Sequence, residues 1–303
     1  MNLSAKAFDL DNARACARAS ADAYRQETIC GSATDTHCLI GEAPDCLIIA
    51  FRGTNSIRNW VTDAEFERTI LVSGVDGTCS KIHKGFEAAL NSVIEQLINR
   101  LGGCSRFVYQ NCKPLFITGH SLGGALAILA ALELQRNGLP IAQVYTFGQP
   151  RVGNGDFKRR YEASLGDRTF RVVYEEDIVA RIPHFPGWRD PYRHVGMEVF
   201  LPAFGIGEMV INPSLWYLLA SDAWGIYRAW CISKFAGALD PIHDHHVGNY
   251  VSALAGIPNP PTDIFKNKGG GSPATERTSA EPTAAPAHSS PTSDIRPPTS
   301  SAL

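Results

Sequence analysis

The chain has 303 residues, 44% of them hydrophobic, enough for one large domain with a filled core or two small ones. Lys and Arg number 28 against 30 Asp and Glu, a net charge of −2 that argues against a nucleic-acid partner. No run reaches the roughly 18 apolar residues of a spanning helix. The polar stretch Met1 to Leu10 has no apolar leader core, which reads as a cytoplasmic protein or one exported by a leaderless or processed route.

In chain order, Asp9 or Asp11 caps a first helix from Leu10 to Tyr24, with alanines at Ala13, Ala17 and Ala21. Cys38 to Ile40 and Cys46 to Phe51 read as strands around a turn at 41–45, the second apolar on both faces as a central strand is. Ile57, Trp60, Val61 and Ala64 fall at i, i+3, i+4 and i+7, one apolar face of a helix; the ordinary reading is a surface helix packed on the core. Gly85 to Leu101 reads as one long amphipathic helix with Phe86, Leu90, Val93, Leu97 and Leu101 inward, and His83 before it as structural. Leu115 to Thr118 is a strand, followed by Gly119-His120-Ser121-Leu122-Gly123 and a helix from Ala125 to Gln135 without Gly or Pro. Gln143 to Phe147 and Thr169 to Tyr174 are further strands. This alternation predicts an α/β fold with a central, mostly parallel sheet and helices on both faces.

Between His194 and His243 lies an aromatic, apolar segment, Phe204 to Trp230, read as extra core or as a surface that widens an acyl pocket or touches lipid. From about Asn267 the chain turns to Gly, Ser, Thr, Ala and Pro and cannot bury a core. The domain plan is therefore 1–266 for one folded domain and 267–303 for a disordered tail. The eight cysteines leave disulfides or reduced thiols open, with Cys104 and Cys112 flanking a short candidate hairpin, and their spacings fit no zinc site.

The chemistry centres on Ser121. A serine between strand and helix, with glycines clearing the turn, is the nucleophile elbow of an α/β-hydrolase, and its hydroxyl stands at a helix N-terminus that favours a developing oxyanion. A serine hydroxyl needs a histidine base, and the histidine needs a carboxylate to orient it. In α/β-hydrolases the order is serine, acid, histidine, which directs attention to the loop after the strand ending at Tyr174, where Glu175, Glu176 and Asp177 compete. His243, His245 and His246 are candidate bases; their closeness also raises a metal site, though adjacent ligands in one loop rarely close a tetrahedral shell. One oxyanion donor is the backbone N–H of Leu122; the second belongs to the loop after Phe51.

Five segments carry a resemblance: Phe51-Arg52-Gly53-Thr54 running to Ile57-Arg58-Asn59-Trp60, Lys81 to Phe86, the serine elbow, Gly148 to Gly153, and Asp177-Ile178-Val179-Ala180-Arg181-Ile182-Pro183. Their order resembles the class 3, fungal-type triacylglycerol lipases from Phe51 to Pro183, and more weakly to Leu254. Tyr192 to Gly196 resembles a strand motif of that family, with His194 structural. The resemblance implies a Ser121–Asp177–His245 triad and Thr54 as second oxyanion donor. It also implies a movable lid whose apolar face, Ile57, Trp60 and Val61, meets lipid. It points to acylglycerol hydrolysis at a lipid–water interface, without metal or organic cofactor. A carboxylesterase, feruloyl esterase or phospholipase on the same scaffold, acyl transfer to another acceptor, and an inactive lipid-binding protein are the alternatives. Nothing in the sequence sets the oligomeric state.

Overall fold

The computed structural model describes residues 1–3, 7–54, 68–73, 79–101, 113–174, 177, 179–182, 191–202, 209–213 and 245–258. The lid residues Ile57, Trp60 and Val61, the base candidate His243, the rivals Glu175 and Glu176, and the tail lie outside them, as does the aromatic segment apart from 209–213.

Helix α1 spans Leu10–Asp22, with the Asp9 carboxylate accepting from the Asn12 N–H as its N-cap. Strands β1 (Ile29–Gly31), β2 (Thr36–Glu42) and β3 (Leu47–Phe51) form an antiparallel run. Strands β4 (Arg68–Ser73) and β5 (Cys79–His83) pair as a separate two-stranded sheet. Helices α2 (Lys84–Asn91) and α3 (Ile94–Arg100) lead to β6 (Leu115–His120) and α4 (Leu122–Arg136). Then come β7 (Ile141–Phe147), α5 (Gly155–Leu165), β8 (Thr169–Tyr174), β9 (Met197–Leu201), β10 (Val210–Ile211) and α6 (Val247–Gly256).

The main sheet has eight strands in the order β1-β2-β3-β6-β7-β8-β9-β10. β3, β6, β7, β8 and β9 run parallel, so the central strands are apolar on both faces and need helices on each side. Successive side chains divide between two cores. Leu115, Ile117 and Val144 join Phe86, Leu97, Leu126 and Phe157 of the helices α2 to α5 on one face. Phe116, Tyr145, Phe147, Phe170 and Val172 join Leu10, Ala13 and Ala17 of α1 and Tyr250 and Leu254 of α6 on the other.

Two expectations need correction. The long helix over 85–101 is two helices, broken at Ser92 and Val93. The Ser92 hydroxyl donates to the Ala89 carbonyl at 2.7 Å and meets the Thr34 hydroxyl at 2.7 Å, so a side chain that competes with the helix ladder ties the break to the first hairpin. Tyr192 to Gly196 precedes β9 rather than forming a strand; only Arg193 makes an isolated bridge, to Gly153. Strands β1, β4, β5, β9 and β10 and the helices α5 and α6 were not read from the sequence. His83 is structural, as expected: it caps α2 by accepting from the Gly85 N–H at 3.0 Å and stacks on Phe86.

The end of β6 is fixed to α1 by a buried pair, the Ser20 and Thr118 hydroxyls at 2.9 Å. Thr118→Val keeps the shape but strands the Ser20 hydroxyl, and should lower the unfolding free energy in urea by about 1–3 kcal/mol. Adding Ser20→Ala should recover part of that loss.

Candidate active site

Ser121 sits between β6 and α4 with φ 60° and ψ −130°, a backbone conformation that costs a non-glycine residue about 1–3 kcal/mol. Its N–H donates to the Phe147 carbonyl at 2.9 Å and its carbonyl accepts from Gly124 N–H at 2.9 Å. The flanking glycines make the turn possible. A Cβ on Gly119 would collide with the Gly123 carbonyl, and one on Gly123 with the Phe51 carbonyl. Chain is thus packed against chain, and the loop after β3 is drawn beside the serine. A Cβ built on Gly53 would lie 3.0 Å from the Ser121 Cβ. Thr54 follows in that loop, half-buried, and Leu122 opens α4.

Asp177 lies just beyond β8 and is fully buried. Its carboxylate accepts from the His245 Nδ1 at 2.7 and 2.8 Å, from the Val179 N–H at 2.8 Å and from the Tyr250 hydroxyl. Burial pushes this carboxyl up, but the His245 hydrogen bond and charge and the Tyr250 hydroxyl outweigh it and hold the group below the usual carboxylate range. Asp177 is therefore an acceptor on every side. His245 must place its proton on Nδ1, which leaves the Nε2 lone pair facing away from the carboxylate.

His245 is fully buried, and among the described residues neither its Nε2 nor the Ser121 Oγ has a hydrogen-bond partner. Both neighbourhoods of Ser121 touch the pair. The His120 ring, one residue before it, lies 4.5 Å from the His245 ring. Gly148, after the strand to which Ser121 N–H is bonded, has φ +58°, and a Cβ there would stand 2.5 Å from the Asp177 Oδ2 and 2.8 Å from the His245 Nδ1. The structure thus brings a buried anion, an imidazole with its far nitrogen unpaired among the described residues, and a serine at a strained turn into neighbouring segments, residue types suited to nucleophilic acyl transfer.

The neighbouring histidine has other work. The His246 Nδ1 accepts from the Gly248 N–H at 3.1 Å and caps α6, so the side chains of His245 and His246 take separate partners. Among the described residues one other group has metal-ligand chemistry: Glu27, Cys30 and His37 near the first hairpin. Both ring nitrogens of His37 already face protein carboxylates, Nδ1 that of Glu27 and Nε2 that of Asp35 at 2.8 Å. Cys16, Cys30, Cys38, Cys46 and Cys79 are free thiols.

Sequence reading missed three partners of the site. Tyr250 carries no local signal of its role, Tyr24 reads only as a helix end, and His120 lies inside the serine motif. Its place one residue from the nucleophile was the available signal.

The model of the class 3 lipases matches residues 48–186. A lipase of Rhizomucor miehei is 37% identical over 173 residues, which are 55% of this chain and 45% of that protein. A secreted mono- and diacylglycerol lipase A of Penicillium cyclopium is 36% identical over 154 residues, 50% of this chain and 48% of the other. The chain spans about half the length of these curated relatives. Among solved structures, a fungal lipase–inhibitor complex described as a model for interfacial activation aligns with TM-score 0.52 and 28% identity, covering 68% of this chain and 83% of that one. The α/β-hydrolase fold read from the alternation of strands and helices is the fold of these neighbours.

Burial, and then the charge of His245, push His120 down from 6.5 to about 3. The unfolded chain accepts that proton near the ordinary value and the folded chain refuses it, so stability is full above pH 6.5 and falls as pH drops towards 3. The slope is about 1.4 kcal/mol per pH unit at most. Asp177 acts in the same sense, since a depressed carboxyl stabilises above the ordinary carboxylate value and loses that contribution as pH falls through its lowered one. The melting temperature should therefore drop between about pH 7 and about pH 4.5, and less steeply in His120→Gln, which has no ring to titrate.

Proposed function

We propose, from the match of residues 48–186 to the class 3 lipase family, that the chain hydrolyses carboxylic esters of acylglycerols through an acyl-enzyme on Ser121. The observation that carries the reading is the buried Asp177–His245 pair at 2.7 Å, with the His245 Nε2 and the hydroxyl of the elbow Ser121 both buried and without a partner among the described residues.

In this reading the His245 Nε2 takes the Ser121 proton as Oγ attacks the ester carbonyl. The tetrahedral oxyanion is held by the Leu122 N–H at the start of α4 and by Thr54 in the loop beside the serine. Asp177 keeps the imidazole in its Nδ1–H form and stabilises the cation that forms. His245 then gives the proton to the departing alcohol as the C–O bond breaks. Water, activated by the same nitrogen, attacks the acyl-enzyme; the acid leaves and the proton returns to Oγ. Residues Ile57, Trp60 and Val61 form the apolar face of a lid that covers the serine in water and meets the lipid surface. The substrate class rests on the family and on the relatives, one of them a mono- and diacylglycerol lipase. A general esterase on the same scaffold would use the same triad without the lid response.

Hydrolysis of a medium-chain triacylglycerol, followed from below to above its solubility limit, separates these readings. The rate should jump when emulsion appears and vanish in Ser121→Ala. Smooth saturation with dissolved ester alone would move the assignment to an esterase. Activity that survives Ser121→Ala would end the serine-hydrolase reading. Asp177→Asn should cost about 10⁴ in kcat, because the amide favours the wrong imidazole tautomer.

A further inference from the structure

The residue before the nucleophile holds a chain of hydrogen bonds whose direction is fixed throughout. The His120 Nε2 lies 2.6 Å from the backbone carbonyl of His245. A carbonyl only accepts, so Nε2 carries the proton and Nδ1 is a lone pair. The Tyr24 hydroxyl, 2.8 Å from that Nδ1, must be its donor. The phenol oxygen is left to accept, and it lies against the Gly53 backbone. The contact is tight, since a Cβ on Gly53 would run into that hydroxyl. Hydrogen bonds therefore run from Tyr24 through His120 to His245, and the Tyr24 hydroxyl packs on Gly53 at the other end.

We infer that Tyr24 and His120 are positioning residues that tie the oxyanion loop, Arg52 to Thr54, to the backbone of the base, setting both against Ser121. The inference rests on the hydrolase reading above. Both segments lie at the edge of regular structure: Arg52 keeps a single backbone bond to β2, its N–H to the His37 carbonyl at 3.0 Å, 53–54 run on beyond it, and His245 precedes α6. Acyl transfer punishes misplacement of about 1 Å by roughly 100-fold, so a tether between donor loop and base has catalytic value. Its hydrogen bonds go to a backbone carbonyl and between its own side chains, not to the Ser121 Oγ or the His245 Nε2. His120 is 1% exposed, and its neutral ring, kept so by burial and the charge of His245, preserves the lone pair that Tyr24 needs. The Tyr24 and His120 rings also pack at 5.9 Å, so a substitution that keeps the ring separates tether from packing.

Tyr24→Phe removes only the hydroxyl. On a dissolved short-chain ester it should lower kcat by about 10-fold with KM within about twofold and an unchanged melting temperature. His120→Leu should lose about 100-fold, and His120→Gln, whose amide keeps a donor for the His245 carbonyl, should recover about 10-fold of that. Tyr24→Phe added to His120→Leu should cost nothing more, because the chain is already cut. A folded Tyr24→Phe with kcat within about twofold of the parent, or additive losses in the double variant, overturns the inference. If Tyr24→Phe does not fold, the histidine variants decide: equal losses in Leu and Gln overturn it, and recovery in Gln upholds it. Ser121→Ala runs beside them. Loss of activity there together with an unaffected Tyr24→Phe defeats the tether alone, whereas activity that survives Ser121→Ala defeats the hydrolase reading and the tether with it.

Discussion

Ser121 holds a positive φ, and much of the molecule serves to make that tenable. The strain is of the order of 1–3 kcal/mol and relaxes unless neighbours forbid it. Here the Phe147 carbonyl holds the Ser121 N–H, and the Gly119–Gly123 and Gly123–Phe51 approaches leave no room for the turn to open. Those approaches need β3, β6 and the start of α4 in fixed register. The register comes from the parallel pairings that the two hydrophobic cores clamp from either side. Core packing and turn geometry are thus one constraint.

The polar half of the site follows the opposite rule. A buried carboxylate is costly unless its lone pairs are filled, and Asp177 fills them with an imidazole, a phenol and a backbone N–H. This saturation leaves His245 a single tautomer. Within the Ser121–Asp177–His245 set, the serine hydroxyl and the far imidazole nitrogen have no partner among the described residues, and they are the two atoms that the proposed chemistry would engage.

The sequence made the scaffold legible where the signal is local. The β6–α4 elbow, β3, β7 and β8 announced themselves through apolar runs bounded by glycine or loop residues, and α1 through its Asp9 cap. The alternation then set the fold. It missed where tertiary partners decide. Nothing in the periodicity of 85–101 shows that Ser92 will bond to Thr34 and break the helix. β10 has two residues and exists because β9 offers an edge. Among the three C-terminal histidines, spacing alone left the base open; the His246 bond to the start of α6 and the His245 bond to Asp177 are facts of the fold. Tyr24 and His120 lie 96 positions apart, a separation no local pattern bridges.

The short antiparallel strands at the sheet edges bear on how copies of this chain meet one another. A twisted parallel sheet ending in a long bare strand would present a row of unpaired amides to any neighbour, a template for intermolecular pairing. Here, among the described residues, the ladder ends in a three-residue strand on one side and a two-residue strand on the other, each antiparallel to its neighbour. Either end offers a docking chain only a few backbone groups, too few to seed a cross-β contact. Those stunted margins lower the tendency of copies of the chain to pair edge to edge, without giving up any of the core that holds the serine in place.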